Sequence, residues 1–163
     1  MMSKGMREDK FVYIPNGFKP EESLNAEPIP KNYFDNVPNG KFLIGYTGSI
    51  GLANAVEYLI EASKLLEKDN RFHFVLIGKG QHKENLKKIA GNNVSFLPLV
   101  NKRQVQEVLK KFNLCFIGLK NQKLFRFGIS PNKIFEYMNA GRPIIQSIDA
   151  GNNLVKEANA GFS

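Results

Sequence analysis

Apolar residues in this chain fall into short continuous runs, separated by segments where they recur every three or four positions. Phe42-Leu43-Ile44-Gly45-Tyr46-Thr47 is the first strong run, and it ends at Gly48-Ser49-Ile50-Gly51. Across 54–67, Val56, Leu59, Ile60 and Leu66 return at helical spacing. The unit then repeats: Phe72-His73-Phe74-Val75-Leu76-Ile77 stops at Gly78-Lys79-Gly80, and a polar helix follows through Leu86 and Ile89. Val94-Ser95-Phe96-Leu97 leads into a helix with Val105, Val108, Leu109 and Phe112 at i, i+3, i+4 and i+7. Asn101 is its natural N-cap and Gln104 the matching capping-box residue. Leu114-Cys115-Phe116-Ile117-Gly118 is another run, and Pro143-Ile144-Ile145 opens one more. Continuous apolar runs alternating with amphipathic helices predict an open α/β sheet, its strands parallel and buried on both faces. Phe11-Val12-Tyr13-Ile14 is a candidate edge or linking strand, and residues 15–41, rich in Pro and Asn-Gly, read as an irregular connection.

In such a sheet ligands sit beyond the carboxyl ends of the strands. The loops to watch are therefore Gly48–Gly51, Gly78–Gly80, Pro98–Asn101, Leu119–Ser130 and Gln146–Asn153. The segment from Phe125 to Ile145 carries the most chemistry. Ser130 suits the N-cap of a helix, Pro131 its first position and Gly141 its left-handed C-terminal cap. Lys133 then falls in the first turn, where a cation opposes the helix dipole by about 0.3–1 kcal/mol. A bound phosphate reverses that penalty, because free backbone N–H groups and Lys133 converge on it; a solvated surface lysine is the other reading. Glu136, one turn on, is within reach of a hydroxylated group beside the phosphate, and Arg126 offers a second cation. Glycines at 48 and 51 let backbone approach an anion closely, although glycine at a strand end is also ordinary turn chemistry. Gly78-Lys79-Gly80 opens like a dinucleotide fingerprint, but Lys83 stands where a third glycine belongs and the strand is a later one, which excludes a standard NAD site.

Composition bounds the rest. At 163 residues, 42% hydrophobic and 23% charged, the chain suits one globular domain. It has no run near the ~20 apolar residues of a membrane span, and its charged start has no apolar run behind it, unlike a signal peptide. The single cysteine excludes a disulfide framework and a Cys-based zinc site, which fits a reducing cytoplasm. A net charge of +8 suits phosphate, nucleic acid or an acidic membrane face, and equally a merely soluble protein. His73 reads as a core or edge residue, His82 as solvated and Cys115 as core filler. No metal spacing, nucleophile turn or aromatic stacking platform is present, and no complete catalytic set is visible.

Glu136-Tyr137-Met138-Asn139-Ala140-Gly141-Arg142-Pro143-Ile144-Ile145 resembles the glutamate-centred motif of group 1 (family 4) retaining glycosyltransferases, which have the GT-B fold. Ser130-Pro131-Asn132-Lys133 before it is similar to a subgroup that builds bacterial surface polysaccharides, often with aminosugars. Ile14-Pro15-Asn16-Gly17-Phe18 resembles the hinge into the C-terminal domain, Tyr46-Thr47-Gly48-Ser49 the first strand and phosphate loop, and Leu76–Gly80 and Asn93–Leu97 the next two strands. The resemblance implies a Rossmann-like C-terminal half of that fold, binding a sugar nucleotide, commonly a UDP-sugar. It divides the chain into a hinge and the end of a missing N-terminal domain (1–17), and a donor-binding domain cut short before its last strand (18–163).

By the same resemblance Glu136 binds the ribose hydroxyls. Gly48, Ser49, Gly51, Arg126, Ile129, Ser130, Pro131, Asn132 and Lys133 hold the diphosphate and sugar. Gly78, Lys79, Leu97, Leu99 and Val100 line the base. Transfer retains anomeric configuration without a bound metal or other cofactor. The implied partners are a nucleotide-sugar donor and a sugar or lipid-linked acceptor. The place is the cytoplasm, with peripheral association at the inner membrane face left open and no nucleic-acid partner. The sequence departs from the family in three places: Gly128 holds the position of a paired glutamate, and Ser49 and Asn54 those of an Arg and a Lys. A noncatalytic nucleotide- or nucleic-acid-binding module is the alternative, and a different α/β enzyme a third.

Overall fold

The computed structural model describes residues 5, 7–10, 12, 14–19, 21 and 25–163, and its core is one six-stranded sheet. The strands are β1 (Phe42–Thr47), β2 (Phe72–Ile77), β3 (Val94–Leu97), β4 (Leu114–Gly118), β5 (Ile144–Ser147) and β6 (Gly161–Phe162). All pair in parallel, in the order β3-β2-β1-β4-β5-β6. The connecting helices are α1 (Val56–Leu65), α2 (Lys83–Ile89), α3 (Val105–Leu109), α4 (Asn132–Asn139) and α5 (Leu154–Glu157). The candidate strand Phe11–Ile14 includes Phe11 and Tyr13, which lie outside the described residues.

Strand side chains alternate between two cores. Ile44, Tyr46, Phe74, Leu76 and Phe116 pack under Val56, Leu59 and Ile60 of α1 and Leu86 of α2. Val75, Ile77, Cys115, Ile117 and Ile144 pack on the other face under α3, α4 and α5, through Leu109, Ile134, Tyr137 and Val155 among others. Burial on both faces is what the unbroken apolar runs predict. The connections explain themselves in the same way: a parallel partner lies a helix away, because the chain must cross back before it can pair.

Some expectations shift locally. α3 ends at Leu109, so Phe112 is not on it; the chain turns and sets that ring on β1. Space there comes from Gly45, where a Cβ would lie 2.0 Å from the Phe112 ring. The helix expected across 54–67 is broken at Ala55, whose backbone is left-handed (φ 46°) between a short 3-10 turn, Leu52–Asn54, and α1. α4 starts at Asn132, one residue later than expected. Pro131 takes the capping position with an extended backbone, and the Ser130 hydroxyl does not cap, because it accepts from Asn16 N at 3.1 Å instead. At the other end Gly141 adopts φ +63°, and Arg142 N and Gly141 N donate back to Tyr137 O and Met138 O. The Asn101–Gln104 capping box forms as expected, ahead of α3. β6 lies at the edge of the sheet, Gly161 and Phe162 pairing in parallel with Ile144 and Ile145.

Candidate functional site

β1 and β4 are neighbours from which the chain leaves in opposite directions, toward β2 and toward β5. A crevice opens beyond their carboxyl ends, where open α/β sheets hold their ligands. Gly48 follows β1 at this point with φ +136°, a conformation that side chains rarely adopt. From the other side comes α4, and its Lys133 lies across Gly48. A Cβ built at Gly48 would stand 2.2 Å from Lys133 Cε and 2.8 Å from Nζ. The ammonium is 5.6 Å from the centre of the Tyr46 ring. Burial pulls the Lys133 pKa below the ordinary lysine value, and Glu136, one turn along, opposes the shift.

The neighbouring backbone is held in place by specific bonds. Tyr46 Oη donates to Ser49 O at 2.6 Å. Gly48 N and Ile50 N donate to Ile77 O and Lys79 O, so the loop after β1 prolongs the ladder with β2. Gly78 permits this, since a Cβ there would sit 1.8 Å from Gly48 O. The fully buried Tyr137 hydroxyl accepts from Thr47 N at 3.3 Å, which docks α4 on the end of β1. Buried Gln106 donates to Glu136 O at 3.2 Å and accepts from Asn139 Nδ2 at 2.9 Å, joining α4 to α3. The loop entering α4 is clipped by Asn152: its Oδ1 accepts from Ile129 N at 2.8 Å and its Nδ2 donates to Ile129 O at 2.9 Å.

The structure therefore brings Gly48, Ser49, Lys133 and the start of α4 together, with Ile129–Pro131 leading in and Glu136 half-buried one turn further. Gly51 forms the lip, its carbonyl accepting from Asn54 N. Gly78 and Lys79 join this group through the extended ladder. Leu97, Leu99 and Val100 line a cavity of about 670 Å³ with Tyr33, Asn36 and Gln104. Burial pushes the Tyr33 hydroxyl up to about 12, and it donates to Pro98 O at 2.5 Å. Arg126 is set apart: it stands 4.7 Å over the Phe127 ring and lines a smaller cavity with Lys123 and Asp149.

Sequence reasoning missed three residues here. Lys83, half-buried, donates to Gly78 O at 2.8 Å and Leu97 O at 3.3 Å, tying the ends of β2 and β3. A lysine one turn past a glycine loop was the available signal. Asn152 and Tyr33 left none, because their partners lie 23 and 65 residues away. The three departures are placed as well. Gly128, at φ +98°, faces Asn152; Ser49 is exposed; Asn54 ends the 3-10 turn.

A cation, a helix N-terminus and an approachable backbone in one crevice suit an anion such as phosphate. Other chemistry finds less support. Burial pushes the Cys115 thiol up to about 12, far from a reactive thiolate. His73 is buried in β2 with its Nε2 2.8 Å from Ser95 Oγ. Among the described residues no group of three His, Cys, Asp or Glu is placed to hold a metal ion, and no helix is long and apolar enough to cross a membrane.

Comparison with known proteins supplies the context. The family described as "Glycosyl transferases group 1" matches residues 41–163. Escherichia coli (strain K12) WcaI, provisionally assigned as a colanic acid biosynthesis glycosyl transferase, is 28% identical over 118 residues, covering 67% of this chain and 28% of its own length. WaaG, a glycosyltransferase involved in lipopolysaccharide biosynthesis, superposes with a TM-score of 0.67 at 19% identity, over 96% of this chain and 43% of WaaG. Anabaena HepE, solved with UDP-glucose, gives 0.62 at 17% identity, over 97% of this chain and 48% of HepE. The C-terminal domain of the group 1 protein LpcC from Francisella tularensis gives 0.59 at 16% identity, over 88% and 85%. The chain thus spans under a third of the curated relative and under half of WaaG and HepE.

Proposed function

This chain belongs to the group 1 glycosyl transferases, and from that premise we propose that residues 18–163 are the donor-binding unit of a retaining, sugar-nucleotide-dependent enzyme. The observation that carries the reading is Lys133 laid across Gly48 beside the start of α4, at the one crevice where the sheet changes direction. The donor diphosphate displaces the lysine from the glycine and takes its place, held by Lys133 and by the backbone N–H groups of the first turn of α4, while Gly48 leaves room for it. Glu136 accepts from the ribose hydroxyls. The base lies toward Gly78 and the Leu97–Val100 loop, whose separation Lys83 sets. When the glycosidic bond to the diphosphate breaks, charge grows on the leaving oxygen, and the same cation and helix terminus stabilise it.

The donor is a UDP-sugar carrying a hexosyl or N-acetylaminosugar group. WcaI and WaaG, named for colanic acid and lipopolysaccharide synthesis, support a role in bacterial surface polysaccharide or glycolipid synthesis. The acceptor is a sugar or lipid-linked glycan bound by an N-terminal domain, and the enzyme works in the cytoplasm against the inner face of the membrane. Arg126 has no part in the donor cradle as we draw it.

Calorimetry with UDP, GDP, ADP and UDP-N-acetylglucosamine tests the reading. Saturable binding with a preference for the uridine compounds, lost in Glu136→Ala, is the expected result. Equal binding of all four, or binding that Glu136→Ala leaves intact, overturns it.

A further inference from the structure

Ser130-Pro131 is a local instruction that the fold does not follow. Serine before proline favours an N-cap and a first helical residue. Yet α4 begins at Asn132, Pro131 stays extended at φ −72° and ψ 130°, and no side chain caps the helix among the described residues. The serine is engaged elsewhere. Asn16 N donates to Ser130 Oγ at 3.1 Å, and Asn16 Nδ2 donates to Ser130 O at 2.6 Å. A clear local preference overruled by a contact 114 residues away is the kind of conflict that gathers at functional sites.

The consequence falls on the first turn of α4. A capping hydroxyl accepts from the second or third N–H of its helix. With Pro131 in first place, those belong to Asn132 and Lys133. Pro131 has no N–H to offer, and Ile134 N already donates to Pro131 O at 3.2 Å. A Ser130 cap would therefore compete with a diphosphate for the donors of this turn. The loop ahead of the helix is held at two consecutive residues. Asn152 binds the backbone of Ile129 through both its N–H and its carbonyl, whereas Asn16 binds the carbonyl of Ser130 and also its hydroxyl. Only Asn16 touches the group that could cap. Ile14, Pro15, Asn16 and Gly17 are all exposed, so burial does little to fix this stretch, and the Nδ2 bond is what anchors the Asn16 N–H over the hydroxyl.

We propose that Asn16 is a positioning residue for donor binding: by holding the Ser130 hydroxyl it keeps the N-terminus of α4 uncapped and its N–H groups open to a diphosphate. The proposal deepens the donor reading given above and rests on it for the ligand, while the hold on the hydroxyl stands on the geometry of the free domain.

Nuclear magnetic resonance and calorimetry on the chain, Asn16→Ala and Asn16→Ala/Ser130→Ala test it. In Asn16→Ala the hydroxyl should turn to the helix, moving the Pro131 carbon shifts from extended toward helical values. Amide exchange at Asn132 or Lys133 should slow about fivefold, the weight of an ordinary N-cap bond, and UDP affinity should fall by about the same factor. The double variant has no hydroxyl to cap with, so it should return to parent exchange rates and recover the UDP affinity. An Asn16 that merely steadies the loop gives another pattern, in which Asn16→Ala slows neither amide and the double variant binds UDP as weakly as the single or more weakly. Either result overturns the proposal. The exchange comparison needs no ligand. A parent that does not bind UDP overturns the donor reading, and the amides still decide whether Asn16 withholds the cap.

Discussion

Lys133 carries two opposed demands. Without a ligand its charge is half-buried in the first turn of a helix, where the dipole disfavours it; with a diphosphate bound the same charge is needed. Lys133→Met should therefore leave the stability of the free domain unchanged or raise it by up to about 1 kcal/mol, while UDP affinity falls roughly tenfold to a hundredfold, the range for losing a hydrogen bond to a charged group. Denaturant titration and calorimetry on the same sample read both signs.

The pH dependence follows from the same shift. Burial lowers the pKa of Lys133 below the ordinary 10.5, so the free domain loses this charge earlier on the alkaline side than a solvated lysine would. A bound anion favours the charged form. Donor affinity should be fully present below the free-state pKa and fall as pH rises through it. In the free domain the sign reverses, because the unfolded chain keeps this proton longer, and stability from this group grows as pH climbs toward 10.5. Calorimetry from neutral pH upward should show the decline in the parent and a flatter profile in Lys133→Met.

Lys133 and Glu136 were legible at this scale as neighbours one turn apart on one helix, whose C-terminal end Gly141 marks. Lys83 and Asn152 were not, because each acts on backbone groups that meet it only after the strands have paired.

Helix α4 is held by side chains that reach its neighbours, so its position is the element-scale variable. Tyr137→Phe removes the hydroxyl that accepts from Thr47 N, a buried donor, and should cost about 1–3 kcal/mol by denaturant midpoint. The cost falls on the contact between α4 and β1, so donor affinity should weaken with it. Gly45→Ala tests the same face of β1 two residues before Thr47, where the added methyl meets the Phe112 ring. A loss of about 1–3 kcal/mol or more is expected from overpacking, read by thermal unfolding, with donor affinity at saturating fold unchanged.

Strand positions were readable because a run buried on both faces is apolar at every position, as Val75 and Leu76 show by pointing into different cores. Element ends were less so. The Ser130 hydroxyl has the chemistry of a cap, yet Asn16, 114 residues away, claims it. Phe112 fits the helical period of α3 and still leaves the helix, because Gly45 offers its ring a better place.

At the scale of the molecule, periodicity gave parallel strands but not their order, and the order is what makes the site. Only with β1 beside β4 does the loop after one meet the helix after the other. Thr47 and Tyr137, whose contact closes the crevice, are 90 residues apart in the chain. A ribosome adding about 5–20 residues per second needs roughly 5–20 s to cover that distance. Within the interval β2 can join β1 and β3 can join β2, while the other edge of β1 waits for β4 and the helix that follows it. The crevice thus comes into being well after the strand it is built on, and a newborn chain spends those seconds with an open sheet edge that a later part of the chain, or a chaperone, must cover.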